Sequence, residues 1–221
     1  VNREWSELNK SVQTLLKKRD TYEEGLERLF ELRGKLWDVI CSFRSELSRE
    51  ELCAIPFIGA DGYHSKTIAY SLWHIFRIED ITAHTLIAGD EQVFFRGDCR
   101  ERTGSPIITT GNELSGRQIA DFSEQLDISG LYDYISEVKT DTEKILHSLP
   151  FDSMKHNTAA EHREQLLSLN VVSSDENAAW LIDYWCGKDV RGLIQMPFSR
   201  HWIMHVEACL RIREKLRKMA K

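Results

Sequence analysis

The chain has no apolar run near the ~20 residues that a membrane-spanning helix requires. Prolines number only four, at 56, 106, 150 and 197, so long stretches carry no helix breaker. Positive charge is not in excess. The formal net charge is −6 and no run of like charges stands out, which argues against a face built to neutralise nucleic-acid phosphates. The basic stretch Arg211 to Lys221 reads as the solvated end of a helix whose cations face its negative pole. The five cysteines (41, 53, 99, 186, 209) are widely spaced and form no C-x-x-C pair. That excludes a zinc knuckle or a thioredoxin-type dithiol and suits small buried thiols in a reducing cytoplasm. No alternating strand pattern, internal repeat, G-x-S-x-G elbow, Walker or dinucleotide glycine motif, or EF-hand loop is present. Val1 to Asp20 is charged and mixed, without the apolar middle of a signal peptide. The expectation is a cytoplasmic protein without membrane or nucleic-acid partners.

What the sequence does contain is helical periodicity. Its 221 residues, 42% hydrophobic and 29% charged, allow a sizeable core in one domain spanning 1–221, with a helix over about 1–20 as an extension. Thr21 and Glu24 read as a capping box, followed by Leu26, Leu29, Phe30, Leu36, Trp37, Ile40 and Phe43 at helical spacing. Gly25 and Gly34 argue against an unbroken rod. Pro56 to Gly62 reads as a turn. Ser65 to Ala88 is apolar around much of its circumference, so it reads as a central helix ended by Gly89-Asp90.

Residues 89–114 read as a long ordered crossover with one extended piece at Ile107 to Thr110. Ser115 to Gln118 is a second capping box, and Asp127 caps a helix running to His147, stopped by Pro150. Short helices are expected over Ala159 to Leu167 and Asn177 to Trp185, then a loop from Gly187 to Pro197. Ser199 is expected to cap a last helix over 200–219. The fold class is all-α: long helices joined partly by a crossover suggest a four-helix bundle with short helical insertions.

His201-Trp202-Ile203-Met204-His205 places two imidazoles four residues apart, about 40° around a helix, so both face one way. Two such rings can converge on one cation of zinc, nickel, iron or copper type. Eight histidines in this length give about 0.3 such pairs by chance, so the pair alone is not specific. The bland alternative is one buried and one exposed histidine on an amphipathic helix. Trp202 occupies the place of the glutamate base in the H-E-x-x-H of zinc proteases, and Glu207 points away from the His201 face.

A third ligand must come from another helix, and His74, midway along the most apolar one, is the candidate. The alternative there is a hydrogen bond to a carboxylate or backbone group. His64, at a helix entrance, reads as a mobile ligand or a cap. His84 lies about 80° around the helix from His74, so the two cannot easily share an ion. His147, His156 and His162 read as surface residues. Asp80 and Glu79 are candidates to orient a ligand imidazole, the alternative for each being a surface acid paired with Arg77 or another base. Cys209 reads as a core thiol, and Trp73 and Trp202 as packing residues or a pocket wall.

Ile68-Ala69-Tyr70-Ser71-Leu72-Trp73-His74-Ile75-Phe76-Arg77-Ile78-Glu79-Asp80 resembles the second helix of the DinB/YfiT-like family. Pro197-Phe198-Ser199-Arg200-His201-Trp202-Ile203-Met204-His205-Val206-Glu207 resembles that family's last helix. The resemblance implies a four-helix bundle with a long crossover and one divalent metal, zinc or nickel, on His74, His201 and His205. It also implies a homodimer and a likeness to thiol-dependent transferases using bacillithiol, mycothiol or glutathione, in a family where some members are isomerases and many have no known activity. The match centres on the histidines and is loose elsewhere. The N-terminal helix and the 89–114 and 150–198 insertions depart from the simplest members, which leaves the substrate open. The competing functions are a metal-dependent hydrolase and a metal-stabilised protein that binds a partner or small molecule without turnover.

Overall fold

Five long helices carry the architecture of the computed structural model, which describes residues 2–60 and 62–219. They are α1 (Arg3–Leu15), α2 (Tyr22–Glu46), α3 (Ile68–Asp80), α4 (Ile128–Ser148) and α5 (His201–Met219). Among the described residues there is no strand, and Ile107 to Thr110, expected to be extended, is irregular. Its backbone serves loop contacts rather than a sheet: the Ile108 carbonyl accepts from Arg77 and the Thr110 carbonyl faces His74. No helix is long and apolar enough to cross a membrane among the described residues.

Helix α3 packs on both α4 and α5, while α2 packs on α1, α5 and α4. The shared core gathers Leu36, Ile40 and Phe43 from α2, Leu72, Trp73 and Phe76 from α3, Tyr134 and Ile135 from α4, and Trp202, Val206 and Ile212 from α5. A second apolar cluster joins Leu26 and Leu29 to Ile81 and Leu86 and to Trp185, Leu193, Ile194 and Phe198 of the 150–198 segment. The N-terminal helix is part of the packing: Trp5 lies in the first cluster and Val12 and Leu16 in the second.

The ends of these helices follow local chemistry, not always the chemistry expected. Thr67 caps α3, its hydroxyl oxygen accepting from the Tyr70 N–H at 2.9 Å. Asp127 caps α4 in the same way through the Gly130 N–H at 2.7 Å. Thr21 forms no capping box. Its hydroxyl donates to the Leu15 carbonyl at 2.8 Å, closing the end of α1 instead of opening α2. At Ser115 only half of the box exists: its N–H donates to Gln118 Oε1, and the helix begins at Arg117. Helix α2 runs unbroken through Gly25 and Gly34.

Helix α3 does not simply continue to Ala88. From Ile81 to Ala88 it widens into a π-helix, and Gly89, at φ 70°, ends it in the left-handed conformation. The expected loop Gly187 to Pro197 contains a helix over Val190–Gln195 capped by Asp189. A π-helical turn, Met196–Arg200, then feeds α5. Ser199 therefore lies inside a helical turn and is no N-cap; its hydroxyl donates to the Gln195 carbonyl at 3.0 Å. The expected helix over 159–167 is two pieces, Thr158–Glu161 and Arg163–Ser168, separated at His162.

Candidate metal centre

Two helices and one loop build the centre. Helix α3 presents His74, α5 presents His201 and His205 one turn apart, and the crossover supplies the Thr110 carbonyl. All three imidazoles are buried, and one ligand nitrogen from each lies within 4.8 Å of the others. The Nε2 atoms of His74 and His201 are 3.2 Å apart. A tetrahedral ion with metal–nitrogen bonds of about 2.0–2.1 Å separates its ligands by about 3.3 Å, so this spacing suits a shared cation.

Protonation agrees with that use. Burial lowers the His74 pKa to about 4, against a smaller upward pull from the Thr110 carbonyl. Burial and the neighbouring imidazoles hold His201 and His205 well below the ordinary histidine value. Three neutral rings offer lone pairs, the form a metal requires. The Thr110 carbonyl, 2.8 Å from His74 Nδ1, assigns the proton to Nδ1 and leaves Nε2 free to ligate.

Hydrogen bonds within the protein do not satisfy these rings. His201 Nδ1 and both nitrogens of His205 are buried without a partner. A proton shared between the Nε2 atoms of His74 and His201 would pair those two atoms, but it would leave His201 Nδ1 and both nitrogens of His205 unpaired. Burying such a group without compensation costs about 1–3 kcal/mol. A cation at the point where the three rings converge would engage one nitrogen of each ring, and so one of the two unpartnered nitrogens of His205.

The carboxylates expected beside the ligands are placed elsewhere. Glu79 accepts two bonds from the buried Arg33 guanidinium, at 2.8 and 3.0 Å, and one from Trp202 Nε1 at 2.7 Å. Asp80 accepts from Arg77, from the Tyr134 hydroxyl and from the backbone N–H groups of Val93 and Phe94. Glu79 thus ties α3 to the residue beside His201, and Asp80 anchors the crossover on α3. The crossover in turn delivers Thr110. The group that orients His74 is a backbone carbonyl, which no residue type announces.

The other histidines stay outside. His84 bonds Asp90 at 2.6 Å. His64 is half-buried in a 3-10 turn, edge-on to Phe57. His147 stacks on Phe30 and is exposed, as is His156. His162, expected at the surface, is half-buried because its ring lies over the Leu86–Gly89 backbone. Cys209 is a buried core thiol whose pKa burial raises to about 12. Trp73 packs among Phe94, Phe122 and Tyr134, and Trp202 packs on Phe76 with Arg33 over its ring. Both indoles are packing residues.

Two cavities reach the histidines. One, of 230 Å³, is an aromatic slot with Trp180, Tyr184 and Trp185 on its wall, and it meets His74 and His201. The other, of 390 Å³, is polar, carries Lys66 and Tyr70, and meets His74 and His205. Tyr63 and Asn112 border both, and the Tyr63 ring sits 4.7 Å from that of His205. Residue spacing gave no signal for Tyr63, Lys66, Asn112 or the aromatic slot, since they come from loops and from the 150–198 segment. Comparison of the chain with family models, curated proteins and solved structures finds no match.

Proposed function

We propose that this chain is a DinB/YfiT-like protein that holds one divalent transition metal, zinc or nickel, on His74, His201 and His205. The observation that carries the metal is the trio of neutral buried imidazoles, with both nitrogens of His205 lacking any protein partner. The packing supports the family reading. Helices α2, α5, α3 and α4 contact one another in a closed ring, as in a four-helix bundle, with the long 89–127 crossover between α3 and α4.

The activity that fits this centre best is thiol S-transfer with a bacillithiol-type cofactor, in a homodimer. His74, His201 and His205 would hold the ion, and the ion would supply Lewis acidity that makes a thiol beside it a stronger acid. In the transfer the cofactor sulfur bonds an electrophilic carbon and the leaving group departs with its electron pair. The aromatic slot beside His201 shields an apolar electrophile from water. Hydrolysis is less well served. It calls for a carboxylate base beside the ion, and Glu79 and Asp80 are both engaged in buried networks away from the cavities.

The test is to load the protein with cobalt and titrate bacillithiol, mycothiol and glutathione, watching for a sulfur-to-cobalt charge-transfer band. Conjugation to an aryl halide is then followed. Saturable binding of one thiol, with conjugation lost in His205→Ala, is expected. If none of the three binds at about millimolar concentration, the transferase reading fails and a metal-stabilised, non-enzymatic protein remains.

A further inference from the structure

Lys66 stands at the centre without a counter-ion. It precedes the Thr67 cap of α3 and lines the polar cavity together with His74, His205, Tyr70 and Asn112. Among the described residues no carboxylate makes an ion pair with it, and burial is the sole cause that lowers its pKa. Its ammonium lies 5.5 Å from the centre of the Tyr70 ring, and that ring stacks on His74 at 5.6 Å. A half-buried cation with an aromatic face beside it and no carboxylate at ion-pair distance among the described residues is under-compensated, and it sits where an anion can reach it. Across the histidines, through the shared border of Tyr63, His74 and Asn112, lies the slot walled by Trp180, Tyr184, Trp185, Leu181, Ile78 and Pro197. A polar cavity with one unpaired positive charge therefore adjoins an apolar one shaped by flat rings, and the imidazoles stand between them.

We propose that the site takes a small organic monoanion, its carboxylate held by Lys66 and its flat apolar body seated in the aromatic slot. The ligand would thus span the imidazole cluster. This deepens the metal-centre reading and rests on it for the reaction, but the binding itself requires only Lys66 and the slot.

The experiment is calorimetric titration of benzoate, phenylacetate and phenylpropanoate, each beside its neutral amide, into zinc-loaded and chelator-treated protein. Wild type, Lys66→Gln, Lys66→Arg and Trp180→Ala are compared, with circular dichroism checking that each is folded. At least one acid is expected to bind about tenfold or more tighter than its amide. That preference should vanish in Lys66→Gln, return in Lys66→Arg and persist without metal. Trp180→Ala should weaken acid and amide alike. The proposal is overturned if no acid binds at about 10 mM, if acid and amide bind equally, or if Trp180→Ala changes neither. It is overturned equally if the preference survives Lys66→Gln but disappears on chelation, because the ion would then hold the carboxylate. A protein that binds no metal but keeps the Lys66-dependent preference would defeat the metal reading and leave this one standing.

Discussion

Trp202 donates its indole N–H to Glu79 across 2.7 Å, and this bond joins the helix that carries His74 to the helix that carries His201 and His205. Arg33 completes the joint by bonding both oxygens of Glu79 while its guanidinium lies 4.3 Å from the Trp202 ring centre. A buried ion pair and one indole thus tie the two ligand helices together, beside their apolar packing.

Glu79→Gln leaves a fully buried guanidinium with only Glu143 as a charged partner. Breaking such a pair costs about 3–5 kcal/mol. Trp202→Phe keeps the ring and loses the hydrogen bond to a charged oxygen, for about 1–3 kcal/mol. Both should lower zinc affinity about tenfold or more although neither residue touches the ion. Denaturant unfolding and competitive zinc titration check this. A Trp202→Phe protein with unchanged stability and zinc affinity would show that the joint does not position the ligands.

Metal content separates a ligand set from a histidine cluster. Mass spectrometry of the native protein should find about one transition metal per chain, and His74→Ala, His201→Ala and His205→Ala should each lose it. No metal after incubation with both zinc and nickel would remove the basis of every enzymatic reading above.

Much of this centre was legible because side-chain period and apolar context carry it. The i, i+4 spacing places His201 and His205 together on any helix, and an imidazole inside the stretch Ile68 to Ile81 has to be buried. What could not be read comes from backbone and from long-range packing. Thr110 contributes a carbonyl, a group every residue has. Arg33 looks like one more charged residue of α2, and only the packed structure shows it fully buried. The π-helical turns at Ile81–Ala88 and Met196–Arg200 are wider than an α-helix, and a period of 3.6 residues passes over them. Thr21 and Ser199 have the right residue type for caps, but their hydroxyls found nearer carbonyls in the preceding turns.

The crossover is clamped tightly enough for a single methyl group to test it. A Cβ on Gly130 would lie 1.9 Å from the Arg102 carbonyl oxygen, a backbone atom that cannot rotate away. Gly130→Ala should destabilise the protein by about 2–4 kcal/mol. Because the displaced Cys99–Thr103 helix belongs to the segment that delivers Thr110, zinc affinity should fall as well. Equal melting temperatures for variant and wild type would mean that the contact relaxes freely.

Acid should destabilise the metal-free protein from neutrality downward. The three imidazoles have folded pKa values below the ordinary 6.5, to about 4 for His74. The unfolded chain therefore binds more protons between pH 6.5 and 4. Stability is full above the unfolded pKa and declines as pH falls through this window, by up to about 1.4 kcal/mol per pH unit for each group. Unfolding measured in chelator at pH 7.5, 6.5, 5.5 and 5 tests the slope. His205→Gln should flatten it, and a wild-type stability that stays level over the range would show that the rings charge while folded.

A ligand that harms the protein lacking its ion is the sharpest sign of a metal site. In the metal-free state His205 buries two ring nitrogens with no protein partner. Leucine has similar bulk and no polar atom to desolvate, so His205→Leu should make the metal-free protein more stable by about 1–3 kcal/mol at pH 7.5. Zinc should raise the melting temperature of wild type and leave the variant unmoved, since binding to the native state alone stabilises it. The two effects have opposite sign, so no general loss of packing imitates them. A destabilised His205→Leu protein would mean that the imidazole is already satisfied, by water or by a neighbour. An equal zinc response in both proteins would move the ion to other ligands.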